Sequence, residues 1–192
     1  MYEIKESQDT NEVYLVGEII NLFFTDGSIN GNAIITLSCG GKTYPKIFAP
    51  AGTLGDKASA LRIGTVIEAC CNIQHSNRTD ANKTAAKRTY GIWLNYLNVY
   101  YRYEEPIPLF SKVFYASGRI VRVKVKDNVS TIYLRTFTNN RVSTFPVTIF
   151  NPRWQLKKGD HFQCCGTIQT WRKERADGTF SYYESYVAKS YM

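Results

Sequence analysis

The stretch YLVGEI at Tyr14–Ile19 returns 101 residues later as YASGRI at Tyr115–Ile120. A tyrosine, a glycine and an isoleucine at fixed spacing are a weak signal alone, but further echoes follow in the same order. Ile47-Phe48-x-Pro50 returns as Ile149-Phe150-x-Pro152, and Leu61-x-x-Gly64 as Leu156-x-x-Gly159. Cys70-x-x-Ile73-Gln74 returns as Cys165-x-x-Ile168-Gln169, and the rings Tyr90, Trp93, Tyr96 and Tyr101 align with Phe180, Tyr183, Tyr186 and Tyr191. The offsets stay between 102 and 90, as loop lengths change, so the chain reads as a tandem duplication.

Each copy alternates apolar and polar residues over short runs, with turn residues between them and little helical periodicity. In the first copy the alternation predicts strands over 12–24, 32–39, 43–49, 65–75 and 89–101. In the second it predicts 113–126, 129–138, 142–150, 160–171 and 180–190. Gly40-Gly41, Asp127-Asn128, Asn139-Asn140 and Ala176-Asp177-Gly178 supply the turns. A non-strand insert separates the third and fourth strands of each copy. Five strands with that insert are the plan of the oligonucleotide-binding (OB-fold) barrel, so the expected class is all-β with two tandem five-stranded barrels. The boundaries fall at 1–102, 103–112 for a linker containing Pro106 and Pro108, and 113–192.

Composition narrows the function. Residues 1–105 carry 10 Lys/Arg against 11 Asp/Glu, whereas 106–192 carry 14 against 5, so the net charge of +8 belongs to the second copy. A polyanion is the partner such an imbalance favours. The adjacent pairs Cys70-Cys71 and Cys164-Cys165 match neither a metal-ligand spacing nor a disulfide framework, and in strands each pair should place one thiol inward and one outward. No run is long and apolar enough for a membrane span and Met1–Asn11 lacks a leader's apolar core, so a cytoplasmic protein is expected, in the host cytoplasm if the chain is viral. Two unmatched histidines, His75 and His161, and no nucleophile–base or paired-carboxylate arrangement argue against an enzyme. No cofactor and no metal is implied.

The second copy resembles the barrel of bacterial and phage-type single-stranded DNA-binding proteins. Val147-Thr148-Ile149-Phe150, Leu156-Lys157-Lys158-Gly159-Asp160, Gly166-Thr167-Ile168-Gln169-Thr170 and the hairpin ending Asp177-Gly178-Thr179-Phe180-Ser181-Tyr182 carry the likeness. The resemblance implies sequence-independent binding of single-stranded DNA, and Trp171 and Phe145 correspond to aromatic positions of the family. The family's acidic-tipped tail has no counterpart before Met192. Family members commonly assemble four barrels, so a homodimer of this chain is expected. The resemblance also points to replication or recombination of a virus or mobile element, with replication proteins as further partners.

A single-strand binder needs cations along the backbone track and flat rings between them. Alternation from Ile120 puts Val121, Val123 and Val125 toward the core and Arg122, Lys124 and Lys126 outward. On the next strand Ile132, Leu134 and Thr136 face one way and Tyr133, Arg135 and Phe137 the other. The fourth hairpin adds Trp171, Arg172, Lys173, Arg175 and Tyr182, expected to close over the same wall; for Tyr183 the sequence leaves both faces open. In the first copy Arg78, Lys83, Lys87, Arg88 and Tyr90 are weaker candidates, and Ile34, Thr36 and Ser38 stand where the sister has its rings and cation. An assembly subunit of a primosome-like replication complex and an RNA-binding protein are the alternative readings.

Overall fold

The computed structural model describes residues 9–25, 27–78, 87–100, 109–174, 178 and 180–192; at 76–78, 87–89, 172–173 and 180–182 it describes the backbone course without the side chains. Ten strands carry the fold: β1 (Asn11–Phe24), β2 (Ala33–Ser38), β3 (Lys46–Ala49), β4 (Val66–Arg78), β5 (Lys87–Tyr100), β6 (Ser111–Lys126), β7 (Val129–Thr138), β8 (Arg141–Phe150), β9 (His161–Glu174) and β10 (Phe180–Tyr191). The insert of the first copy contains a 3-10 turn at Gly55–Ala60. Among the described residues no helix is long and apolar enough to cross a membrane.

The strand order is β2-β3-β5-β4-β1-β6-β7-β8-β10-β9, with β2 also paired to β1 and β9 to β6. Those two extra pairings close each set of five into a barrel, and among the described residues the parallel ladders are β3 with β5 and β8 with β10. This is the OB-fold plan, built twice. The expected strands match closely, and β7 at 129–138 has the boundaries read from alternation. Lys42, Asp127, Asn139 and Asn140 have positive φ in the turns, where Asn and Asp tolerate the left-handed region best.

The repeated glycine of the opening motif has a steric reason. A Cβ on Gly17 would lie 2.6 Å from the Ser38 carbonyl oxygen, and one on Gly118 would lie 2.2 Å from that of Arg135. Ser38 and Arg135 are equivalent, since Glu18 pairs with Ser38 as Arg119 pairs with Arg135. Both strands bulge just beyond, at Ile20 and at Val121. The bulge reverses the inside–outside parity: Ile120 is buried, yet Arg122 points out and Val123 in. Of the inward set expected on β6, Val123 faces in, Val121 sits half-buried at the bulge, and Val125 shares the parity of Val123 but lies 70% exposed near the end of the strand.

The ladders also correct the ring alignment of the last strands. Ile92 stands opposite Ile73 as Tyr186 stands opposite Ile168, so the structural offset there is 94 and not 90. The first barrel packs an aliphatic core of Leu15, Ile35, Leu37, Ile47, Ile67, Ile73 and Ile92, whereas the second is built on Phe114, Phe145, Phe162 and Tyr186. Phe114 and Phe145 meet Tyr186 edge-on with centroids 5.8 and 5.9 Å apart. The cysteines are free, with Cys71 and Cys164 buried beside exposed Cys70 and half-buried Cys165, as alternation requires.

The two barrels are joined by an antiparallel ladder running from Asn11↔Ala116 to Val16↔Ser111. Val13 pairs with Phe114, its own repeat equivalent, so a local twofold axis passes through that pair. On either side of it, equivalent residues reach into the opposite barrel. Asn11 Nδ2 donates to Thr136 Oγ1 (3.3 Å) of β7, and Lys112 Nζ donates to Gly40 O (2.9 Å) and Thr43 Oγ1 (2.8 Å) at the β2–β3 turn. Replacing Gly118 with alanine is expected to destabilise the chain by about 3 kcal/mol in urea unfolding, because β7 must move away. Gly91→Ala, where a Cβ meets nothing within 4 Å, should stay within about 0.5 kcal/mol.

Candidate nucleic-acid interface

The outer face of β6 and β7 gathers part of the residue set expected from the sequence. Arg122 stands directly across from Tyr133 in the ladder. Its guanidinium lies 5.7 Å from the Tyr133 ring centroid, and the Lys124 ammonium lies 5.6 Å from the same centroid. Two cations over one ring keep it upright and half-exposed. Arg135 is exposed two residues along the strand and Phe137 is 46% exposed two beyond that, while Ile132, Leu134 and Thr136 are fully buried beneath. Lys126 is exposed at the far end of β6. The Phe137 N–H donates to Asp9 Oδ2 at 2.8 Å, which ties the N-terminal segment to this edge.

Phe145 is not part of that face. Its exposure is 0%, because β8 turns Ser143, Phe145, Val147 and Ile149 inward and Thr144, Pro146 and Thr148 outward. The inward Val147 and Ile149 fix the parity of Phe145, a signal present in the sequence and outweighed there by the family correspondence.

Trp171 opens onto a different surface. It stands opposite Tyr183 in the β9–β10 ladder, and the two rings stack at 4.5 Å with 19° between planes. Tyr183 therefore faces outward, 43% exposed beside Trp171 at 50%. Trp171 Nε1 donates to Ser185 Oγ at 3.1 Å, which orients the indole. The side chains of Arg172, Lys173 and Tyr182, and all of Arg175, lie outside the described residues, as do the side chains of Arg78, Lys87 and Arg88 and all of Lys83.

The β9–β10 hairpin is an arm laid against the first barrel. Tyr44 N–H donates to Thr170 Oγ1 and Lys46 N–H to Glu184 Oε1, both at 2.8 Å, capping the edge of β3. Between arm and barrel runs an open groove of about 910 Å³, lined by Lys42, Tyr44, Lys46 and Trp171 with Ile20 and Thr36 in its wall. The reciprocal arm, β4–β5, lies near the β7–β8 turn. Arg141 Nη1 donates to Gln74 Oε1 at 3.3 Å there, beside a smaller polar pocket of about 320 Å³ that also holds Asn72, Asn95 and Asn139. Tyr90 of this arm tilts against Tyr186 at 6.3 Å. Burial raises the Tyr90 hydroxyl above its usual value, and Tyr133 and Glu184 face it. The candidates thus divide between two surfaces: Arg122, Lys124, Tyr133, Arg135 and Phe137 on the second barrel, and Trp171 across the seam. Among the described residues no group of three or more His, Cys, Asp or Glu is placed to hold a metal.

Burial in the seam raises the Glu184 carboxyl above 4.5, against the opposing pull of the Lys46 N–H, the Tyr186 hydroxyl and the Lys46 charge. Between the ordinary carboxylate value and that raised one, the folded chain binds more protons than the unfolded chain. Stability from this group is therefore lost as pH rises through that window. Glu184→Gln, which keeps an acceptor for Lys46, is expected to melt higher than wild type at pH 8, with the gap closing as pH falls toward 4 in thermal unfolding. A gap independent of pH would show that the carboxylate carries no burial penalty.

No protein-family model matches the chain, and no curated protein sequence matches it. Solved structures do. The wild-type single-stranded DNA binding protein from Thermus aquaticus is similar over 97% of this chain and 93% of its own, with a TM-score of 0.65 and 14% identity. A deletion mutant of that protein is similar over 96% and 94%, with a TM-score of 0.66 and 14% identity. At that identity the likeness is one of fold, and it extends over both barrels.

Proposed function

We propose that this chain binds single-stranded DNA without strong sequence preference and acts as a binding protein with no catalytic step. The observation that carries the reading is Tyr133, held outward between Arg122 and Lys124 with Arg135 and Phe137 along the same strand. Solvent alone does not favour exposed rings, whereas an unpaired strand offers a base to each ring and a phosphate to each cation. None of these groups forms the geometry of base-edge readout by a helix in a groove, and every base has a face to stack, so the surface suits any sequence. The likeness in fold to the single-stranded DNA binding protein from Thermus aquaticus supports the same reading.

The joined sheet also offers a surface to a second copy of the chain. On its outer face Tyr96 stands beside Cys70, Cys70 beside Tyr14, and Tyr14 beside Val113, with Tyr115 two residues along. Tyr96 is 52% exposed and Tyr115 48%. Within the face the hydroxyls of Tyr14 (2.6 Å) and Tyr100 (2.5 Å) donate to Glu68, which lowers its carboxyl below the usual value. A homodimer through this face would bring four barrels together, in keeping with replication or recombination of a virus or mobile element. Light scattering at micromolar concentration should give twice the chain mass; a strict monomer would remove this part.

A salt titration against poly-dT, poly-U and duplex DNA tests the binding itself. Tightest binding to poly-dT is expected, and preference for duplex, or none of the three bound at low salt, would overturn the reading. Equal or tighter binding to poly-U would favour the RNA alternative. Phe137→Ala with Trp171→Ala should weaken poly-dT binding by about 2–5 kcal/mol through lost stacking. Lys124→Ala with Arg135→Ala should instead flatten the slope of log K against log salt by about 1.4.

A further inference from the structure

The first barrel presents a stripe along its third strand and the extended residues that lead into it. Thr43, Pro45, Ile47 and Ala49 are buried, so the residues between them point out: Lys42, Tyr44, Lys46 and Phe48, a cation and a ring in strict alternation. The equivalent outward positions of the second barrel are Val142, Thr144, Pro146 and Thr148, because Ile35 pairs with Ile47 as Ile132 pairs with Val147. Conversely, Tyr133 and Arg135 on β7 correspond to Thr36 and Ser38 on β2. Each barrel therefore carries its rings and cations on a different strand, β7 in one and β3 in the other.

We infer that the β3 stripe is a second binding site for the same single strand, completed by Trp171 from the opposite barrel, so that one strand crosses the seam and is held by both. The inference rests on the single-strand reading above and adds the path and the residues. Three observations support it. Lys42, Tyr44 and Lys46 of the stripe line the open groove of about 910 Å³, with Trp171 on the far wall. The bond from Tyr44 N–H to Thr170, the residue next to Trp171, holds the two walls in fixed relation. The Tyr183 ring backs Trp171, leaving its other face toward the groove to take a base. Lys42 is exposed at the groove mouth, where it can meet a phosphate, whereas the charge of Lys46 is shared with Glu184. Phe48 is engaged edge-on by Trp93 at 4.4 Å and bounds the stripe. Tyr44 and Trp171 are the stacking rings of this site.

The test compares wild type with Lys42→Gln/Tyr44→Ala. Both side chains are exposed and the seam bond uses the Tyr44 main chain, so the variant should melt with wild type; Lys42 sits in a left-handed turn (φ 57), and Gln removes its charge without altering backbone preference. Oligo-dT of about 30 nucleotides, long enough for two barrels, should bind the variant at least about tenfold more weakly, while an oligomer of about 8, short enough for one, keeps its affinity for the intact second barrel. Photocrosslinking with iodouracil-substituted oligonucleotide should label Tyr44 or Trp171 in the wild type. If wild type binds poly-dT but the variant matches it on the long oligomer and crosslinks stay within residues 122–137, this inference fails and the single-strand reading stands. Failure of wild type to bind any single strand removes the reading itself.

Discussion

The ladder between β1 and β6 is the constraint on which the rest depends. Six residue pairs, with a local twofold axis through Val13↔Phe114, turn two barrels into one ten-stranded sheet. Backbone groups of β1 that would otherwise be an open edge are satisfied by the sister copy, which removes the aggregation hazard of an exposed strand. The axis then dictates everything lateral to it. Each β-hairpin arm must lie across the other barrel, Asn11 and Lys112 must each face the opposite copy, and the buried clusters of the two barrels merge into one. Asn11 is the strictest of these, since it is buried and its amide both accepts from and donates to the Ile73 backbone while reaching Thr136.

Much of this was legible in the linear chain. The repeated motifs marked equivalent positions of the two barrels, and alternation placed most strand boundaries within a few residues. It also put Tyr133, Arg135 and Phe137 outward, because period two is robust wherever a strand is regular. On β6 the outward Arg122, Lys124 and Lys126 and the inward Val123 match the alternation, and the departures fall at the irregular places: Val121 at the bulge that follows Ile120, and Val125 near the strand end.

Other features lay beyond a residue-by-residue reading. The Lys42-x-Tyr44-x-Lys46-x-Phe48 alternation stood in plain view, but comparison with the sister copy directed attention to the second strand, where the first barrel has no rings. That Trp171 meets the first barrel depends on contacts between residues more than a hundred positions apart, such as Tyr44 with Thr170. No local pattern encodes such a meeting, since it follows from the ladder that joins the copies. The four-residue slip in equating β5 with β10 has the same origin, because only the opposing strand shows which residues are equivalent.

The two barrels share a plan and a local twofold axis that their residues break. Where Lys46 offers a main-chain N–H to the Glu184 carboxylate, the second barrel has Pro146, which has none to offer. At this position one arm is pinned through a main-chain donor and its counterpart has none, so the two halves of the seam are unequal there. A single strand laid across the seam as proposed would meet unlike ends, so binding that ignores base identity would still carry a polarity.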